Sequence, residues 1–345
     1  MMNKRLKQGS TFLLAVALTF PLLTLPGAKA ASAIDTDAEC SIEFDISGNS
    51  SELLNDDVTV KVNLYKVALV DESGNYTATG AFTGLDLSSV SADNLDTAAA
   101  TWAARAKEAQ GKLTDSDGKT VVKPTETVTL QNGRGYKDKL KTGLYLVDTP
   151  KVITTNYTYT FTPYLVSLPT NNYYSGNGAS DDWIYDLTKE MNSAVGLKPE
   201  EHVRYGDLVI SKKLENHNAT FGNKATFVFQ IDITTLDKKT ETRIEELTFS
   251  AAGNDSVTIK KIPAGSKVVV KEIYSGASYK LTSQNNVTAT IVANDEKEAG
   301  QAGETAVVSF TNEHDGRTNG GYGVKNNFKL DETDQYQYTK PAATN

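Results

Sequence analysis

Cysteine is nearly absent. Cys40 is the only one in 345 residues, so no disulfide can form within the chain. Histidine is almost as scarce: His202, His217 and His314 show no metal-ligand spacing and read as surface residues, so no metal is expected. No phosphate-binding loop and no nucleophile motif occurs, and neither an enzyme class nor a cofactor is indicated. Basic excess is missing too. With 35 Lys and Arg against 43 Asp and Glu, the formal net charge is −8. Such an acidic chain does not bind nucleic acid or anionic lipid through bulk charge.

Beyond residue 30 there is no apolar run approaching the roughly 20 residues that a membrane span needs. The one apolar stretch, Thr11 to Leu25, is short, is broken by Pro21, and follows Lys4, Arg5 and Lys7. Ala28-Lys-Ala30 then places small residues at cleavage-type positions. Residues 1–30 therefore read as a secretory signal peptide cut near Ala30, which leaves an extracellular protein with no membrane span. Cleavage removes Lys4, Arg5, Lys7 and Lys29 and no acidic residue, so the net charge moves from −8 to −12. Cys40 follows Ala38 and Glu39, a poor context for lipidation, and is expected to be an exposed or half-buried thiol.

Helical signal is concentrated in Ala92 to Gln110, an alanine-rich segment with Leu95, Trp102 and Ala106 on one face. Most other segments read as strands separated by turn signals such as Glu72-Ser-Gly-Asn75, Asp115-Ser-Asp-Gly118 and Asn132-Gly133. In the first half these are 41–46, 58–70, 76–82, 125–130, 143–147, 157–168 and 183–187. In the second half they are 208–214, 225–233, 244–249, 257–262, 267–273, 279–281, 287–292 and 306–312. Gly196-Leu-Lys-Pro-Glu200 reads as a linker, with Pro199 as breaker. The expected fold is all-β: tandem Ig-like antiparallel β-sandwiches with a short helical insertion in the first. The expected domains are 34–198 and 205–313, followed by a polar tail at 314–345.

Three polar residues in the second domain occupy apolar phases. Lys212 alternates with Leu208, Ile210 and Leu214; Glu272 with Val268 and Val270; Asn312 with Val308 and Phe310. A lone buried charge is costly, so three inward polar groups imply that they partner one another. Burial lowers a lysine pKa and raises a glutamate pKa. A neutral Lys212 amine then attacks the Asn312 carbonyl. Glu272 hydrogen-bonds the carbonyl oxygen and shuttles protons to the departing ammonia. An ordinary Lys212–Glu272 salt bridge is the competing reading, and Lys213, one step out of phase, is the reserve nucleophile. In the first domain, Lys66 shares the phase of Val62 and Leu64, but Asp148 is off-register, and no second triad emerges.

The order Leu-x-Ile-x-Lys, Val-x-Val-x-Glu and Val-x-Phe-x-Asn over residues 205–313 resembles the CnaB-type Ig-like domains of Gram-positive pilins and adhesins. Val60-Lys-Val-Asn-Leu-Tyr-Lys-Val67, Gly143-Leu-Tyr-Leu-Val147 and Trp183-Ile-Tyr-Asp186 resemble the N-terminal domains of the same pilins. The resemblance implies an autocatalytic isopeptide joining Lys212 and Asn312 with Glu272 as proton shuttle. It also implies a structural cell-surface subunit whose partners are other pilus or cell-wall subunits. The chain departs from the pattern in lacking an LPxTG signal at its C-terminus; Leu168-Pro-Thr-Asn171 is internal and lacks the glycine. Lys198 and Lys189 lie roughly where pilins carry an acceptor lysine, and both read as solvated linker residues. Ser41 rather than glutamine follows Cys40, which argues against a thioester adhesin. The alternative function is a secreted module binding a host or glycan ligand through first-domain tyrosines such as Tyr173 and Tyr174 and the 171–182 loop.

Overall fold

The structure is a computed structural model. It describes residues 33–46, 51–88, 95–171, 183–188, 195–219, 224–295, 304–317, 327–330 and 336–339. The signal-peptide segment, Tyr173, Tyr174 and Lys189 lie outside the described residues. Among the described residues the chain is all-β with one α-helix, and it divides into two compact units. One runs to residue 202 without 155–157; the other takes 155–157 and 203 onward.

The first unit begins with β1 (Glu39–Asp45), β2 (Val60–Val70) and β3 (Tyr76–Ala78), then α1 (Leu95–Gly111). There follow β4 (Glu126–Leu130), β5 (Arg134–Lys141), β6 (Gly143–Asp148), β7 (Val152–Ile153), β8 (Tyr157–Phe161) and β9 (Tyr164–Leu168). Short strands close the unit: β10 (Thr170–Asn171), β11 (Trp183–Ile184), β12 (Asp186–Leu187), β13 (Val195–Gly196) and β14 (Pro199–Val203). One sheet has the order β3-β2-β6-β9, with β4 also on β2. A second is built on β1, which pairs antiparallel with β5 and parallel with β12 and β13. α1 covers one face of the first sheet: Trp102, Ala106 and Ala109 pack with Tyr65, Val67, Leu144, Leu146 and Leu165. Burying one such side chain stabilises by about 1.5–3 kcal/mol, so an alanine-rich helix of low intrinsic amphipathicity is held by this contact.

Several boundaries differ from the sequence reading, each for a local reason. Residues 157–168 form two strands, because Pro163 between them has no N–H for a ladder. The expected linker 196–200 is partly strand: β14 starts on Pro199, a first-residue, edge-strand position where the missing N–H costs nothing. β5 was not expected. Its sequence Arg-Gly-Tyr-Lys-Asp-Lys-Leu-Lys buries only Leu140, and its backbone pairing with β1 defines it instead. Gly135 is needed there, since a Cβ would come within 2.8 Å of the Thr129 carbonyl oxygen. The turn between β4 and β5 uses Asn132 and Gly133 at φ 51° and 79°, the paired left-handed geometry that suits a tight hairpin.

Cys40 corrects the expectation of an accessible thiol. β1 starts at Glu39, earlier than the sequence suggested, and Cys40 joins Ile42 and Phe44 on its inward face, with 1% exposure. Burial, partly offset by the Lys66 ammonium, pushes the thiol up to about 12. The thiolate is the nucleophile, so at pH 8 its population is about 10³-fold below that of an unperturbed thiol. Iodoacetamide is therefore expected to label Cys40 readily in guanidinium and scarcely in the native protein, as read by adduct mass. Equal labelling in both would contradict the buried placement.

The second unit is a sandwich of two four-stranded sheets. Its strands are β15 (Tyr205–Leu214), β16 (Ala225–Thr234), β17 (Thr240–Phe249), β18 (Gly253–Pro263), β19 (Lys267–Tyr274), β20 (Tyr279–Leu281), β21 (Val287–Thr290) and β22 (Ala306–His314). One sheet has the order β18-β15-β22-β20, the other β17-β16-β19-β21. Pairing is antiparallel except between β15 and β22, which run parallel from Leu208↔Ala306 to Leu214↔Asn312. Period-two alternation turns Leu208, Ile210, Phe227, Phe229, Ile231, Val268, Val270, Val308 and Phe310 into one core between the sheets. Phe229 and Phe310, from opposite sheets, meet in a tilted contact with ring centroids 5.2 Å apart. A separate hairpin, β23 (Asn327–Leu330) with β24 (Tyr336–Thr339), follows.

Candidate functional site

The polar residues that broke the apolar pattern meet inside this sandwich. The inward phases of β15, β19 and β22 bury Lys212, Glu272 and Asn312 at 0%, 5% and 0% exposure. Lys212 and Asn312 sit on adjacent parallel strands, with Lys212 opposite Phe310 and Asn312 two pairs further on, opposite Leu214. Glu272 faces them from the other sheet, opposite Phe229 in the β16–β19 ladder.

The contacts form a closed triangle. Lys212 Nζ donates to Glu272 Oε2 and to Asn312 Oδ1. Asn312 Nδ2 donates to Glu272 Oε1 at 2.6 Å. Sequence reasoning placed the carboxyl group against the carbonyl oxygen; the structure instead turns Oε1 to the amide nitrogen. One carboxylate thus touches the lysine amine with one oxygen and the asparagine amide nitrogen with the other.

Two aromatic rings complete the enclosure. Lys212 Nζ lies 4.4 Å from the Phe227 ring centroid and 5.7 Å from that of Phe229. These residues were legible as core, but which rings flank the amine depends on cross-sheet packing that one strand's pattern does not reveal. Burial lowers the Lys212 pKa, and the Glu272 carboxylate opposes that shift. Proximity and a desolvated amine are the conditions for amide exchange. Such an arrangement would allow the Lys212 amine to add to Asn312 Cγ, with Glu272 taking a proton from the adding nitrogen and returning one to Nδ2, so that the Cγ–Nδ2 bond would break and ammonia would leave as the Nζ–Cγ amide formed.

The other candidates do not join this centre. Lys213 is exposed and pairs with Glu215 at 2.9 Å. In the first unit, Lys66 is half-buried and its side chain crosses Gly143, where a Cβ would lie 2.7 Å from Lys66 Cε. Asp148 accepts a hydrogen bond from Gln110 at 2.6 Å, and among the described residues no ion pair joins it to Lys66. Lys198 is exposed. Asp115-Ser-Asp-Gly118 forms a turn whose Asp115 carboxylate accepts from the Asp117 and Lys119 amides. Among the described residues no group of three or more His, Cys, Asp or Glu side chains is arranged to hold a metal. Nor is any helix among them long and apolar enough to cross a membrane.

Residues 208–315 match a family described only as a domain of unknown function, DUF5979. No curated protein matches the chain. Among solved structures, the chain is similar to the major pilin T3.2 of Streptococcus pyogenes at 12% identity, covering 81% of this chain and 99% of that one, with a TM-score of 0.28. It is similar to the full-length major pilin SpaD of Corynebacterium diphtheriae at 15% identity, covering 83% and 100%, with a TM-score of 0.24. It is also similar to GBS52, a minor pilin of Streptococcus agalactiae, at 13% identity, covering 80% and 95%, with a TM-score of 0.22.

Proposed function

We propose that this chain is an exported structural subunit of a Gram-positive cell surface, pilin-like or adhesin-like, whose second unit seals itself with a Lys212–Asn312 isopeptide bond. The observation that carries this reading is the buried triangle of Lys212, Glu272 and Asn312. An amine, an amide and a carboxylate that are all buried suit a single intramolecular turnover rather than an enzyme. The lack of any internal disulfide leaves an exported protein in need of another covalent brace, and an amide resists reduction. The partners in this reading are other subunits of the same surface assembly.

Intact mass tests it directly. Residues 31–345 are expected to weigh about 17 Da less than the sequence mass, the ammonia lost in amide exchange. Lys212→Ala and Glu272→Ala are expected to show the full mass. A full mass for the folded wild type would overturn the bond and leave Lys212 and Glu272 as a buried salt bridge. The surface role is tested by immunoblot of cell-wall extracts from the producing organism. Covalent high-mass forms support it; a monomer found only in the medium contradicts it.

A further inference from the structure

Glu272 lies where β19 loses its regular neighbours. On one side, β21 pairs with β19 from Lys267↔Thr290 to Val270↔Val287 and ends there. On the other, the β16–β19 ladder slips: Phe229 faces Glu272 and Val228 faces Tyr274, so Ile273 is an extra residue. Bulges of this kind bend a strand and re-aim its side chains. Left alone, such a position would hold the Glu272 carboxylate poorly.

Continuing the β19–β21 register by two residues would set Glu272 opposite Asn285. The strand has ended, but the Asn285 side chain stands in for it. The Glu272 N–H donates to Asn285 Oδ1 at 2.9 Å, and Asn285 Nδ2 donates to the Glu272 carbonyl oxygen at 3.2 Å. Both backbone groups of the shuttle residue are thus held by one amide, which imitates a strand. The turn itself holds that amide: Oδ1 also accepts from the Asn286 N–H at 3.1 Å, and Asn286 adopts φ 60°. Asparagine tolerates such turns and hydrogen-bonds locally.

We infer that Asn285 is a positioning residue for amide formation between Lys212 and Asn312, clamping the Glu272 backbone so that its two carboxylate oxygens reach the attacking and the leaving nitrogen together. The inference rests on the crosslink reading given above. A bridging carboxylate must satisfy two contacts at once, and a displacement of about 1 Å at such a site is enough to cost about 100-fold in rate.

The test follows crosslinking in time. Residues 31–345 are made by cell-free translation, samples are quenched in denaturing acid, and the fraction showing the ammonia deficit is read by mass. Asn285→Ala is expected to slow the reaction by at least tenfold. Asn285→Asp keeps the acceptor for the Glu272 N–H and is expected to restore part of the rate. Asn286→Ala loosens the same turn without removing a side-chain bond to Glu272. It is expected to crosslink at close to the wild-type rate. Melting temperatures of both alanine variants in a Lys212→Ala background, which cannot crosslink, measure how far each destabilises the unit. Wild-type speed in Asn285→Ala, or equal slowing in the two variants at matched stability, would overturn the positioning role alone. Absence of the deficit in the wild type would overturn the crosslink and this inference with it.

Discussion

Replacing Lys212 with Met and Glu272 with Leu together is expected to lower the melting temperature of the second unit by about 20 °C, on the entropy scale that follows. The proposed bond closes a loop between residues separated by 100 positions. A crosslink of that span removes about 4.7 kcal/mol of chain entropy from the unfolded state. For a unit of about 110 residues, an unfolding entropy near 2.1 cal/mol/K per residue converts this into roughly 20 °C. Swapping a buried ion pair for apolar groups of similar size is often close to neutral, but the double replacement also takes both partners from the buried Asn312 amide, which adds about 1–3 kcal/mol to the fall. Lys212→Ala alone is expected to fall further, by about 3–5 kcal/mol, since it leaves the Glu272 carboxylate buried without its partner. Scanning calorimetry of residues 31–345 reads both. A double variant melting within roughly 5 °C of the wild type would mean that no covalent loop constrains the unfolded chain.

The second large effect concerns rate. Glu272→Gln keeps the shape of the side chain and removes its capacity to take a proton. General acid–base catalysis contributes about 10²–10⁴-fold, so this variant is expected to retain its full mass long after the wild type has lost ammonia. Raising the pH is expected to recover part of the rate, because the nucleophile is the neutral amine. Burial lowers the Lys212 pKa from 10.5, so the rise begins below the range of an ordinary lysine. The sign for stability follows. In the uncrosslinked variant the unfolded chain binds a proton that the folded one gives up, and stability grows as pH climbs from the lowered value towards 10.5. A Glu272→Gln protein that crosslinks at the wild-type rate would remove the carboxylate from the chemistry.

The core strands of the second unit were the most legible part of the chain. Phe227, Phe229, Ile231 and Ile233 alternate without interruption, and the observed β16 extends only one residue beyond the strand read from them. The inward phases of Lys212, Glu272 and Asn312 came from the same two-residue period, because a buried polar group interrupts an apolar row without changing its phase. Backbone pairing left weaker traces. β5 is charged along most of its length, and β13 is only two residues long, held by its ladder rather than by side-chain burial. Cys40 was misplaced because a strand start one or two residues earlier turns an accessible position into a core one. Asn285 was hidden for another reason. Its partners are the backbone groups of Glu272, thirteen residues away, and no side-chain pattern records a bond to a main-chain atom.

The parallel pairing of β15 with β22 sets how the second unit responds to a pull on its ends. These are the first and last strands of its sandwich, side by side over seven register pairs. Force enters at the start of β15, beside the start of β22, and leaves at the far end of β22. The two strands are therefore dragged lengthwise past each other, and the ladder is loaded in shear rather than opened one rung at a time. Each rung adds only about 0.5–1.5 kcal/mol, but in shear the rungs must fail together. A covalent link from Lys212 to Asn312 lies directly on this load path. It would carry force from residue 212 straight to residue 312 and leave the intervening chain slack.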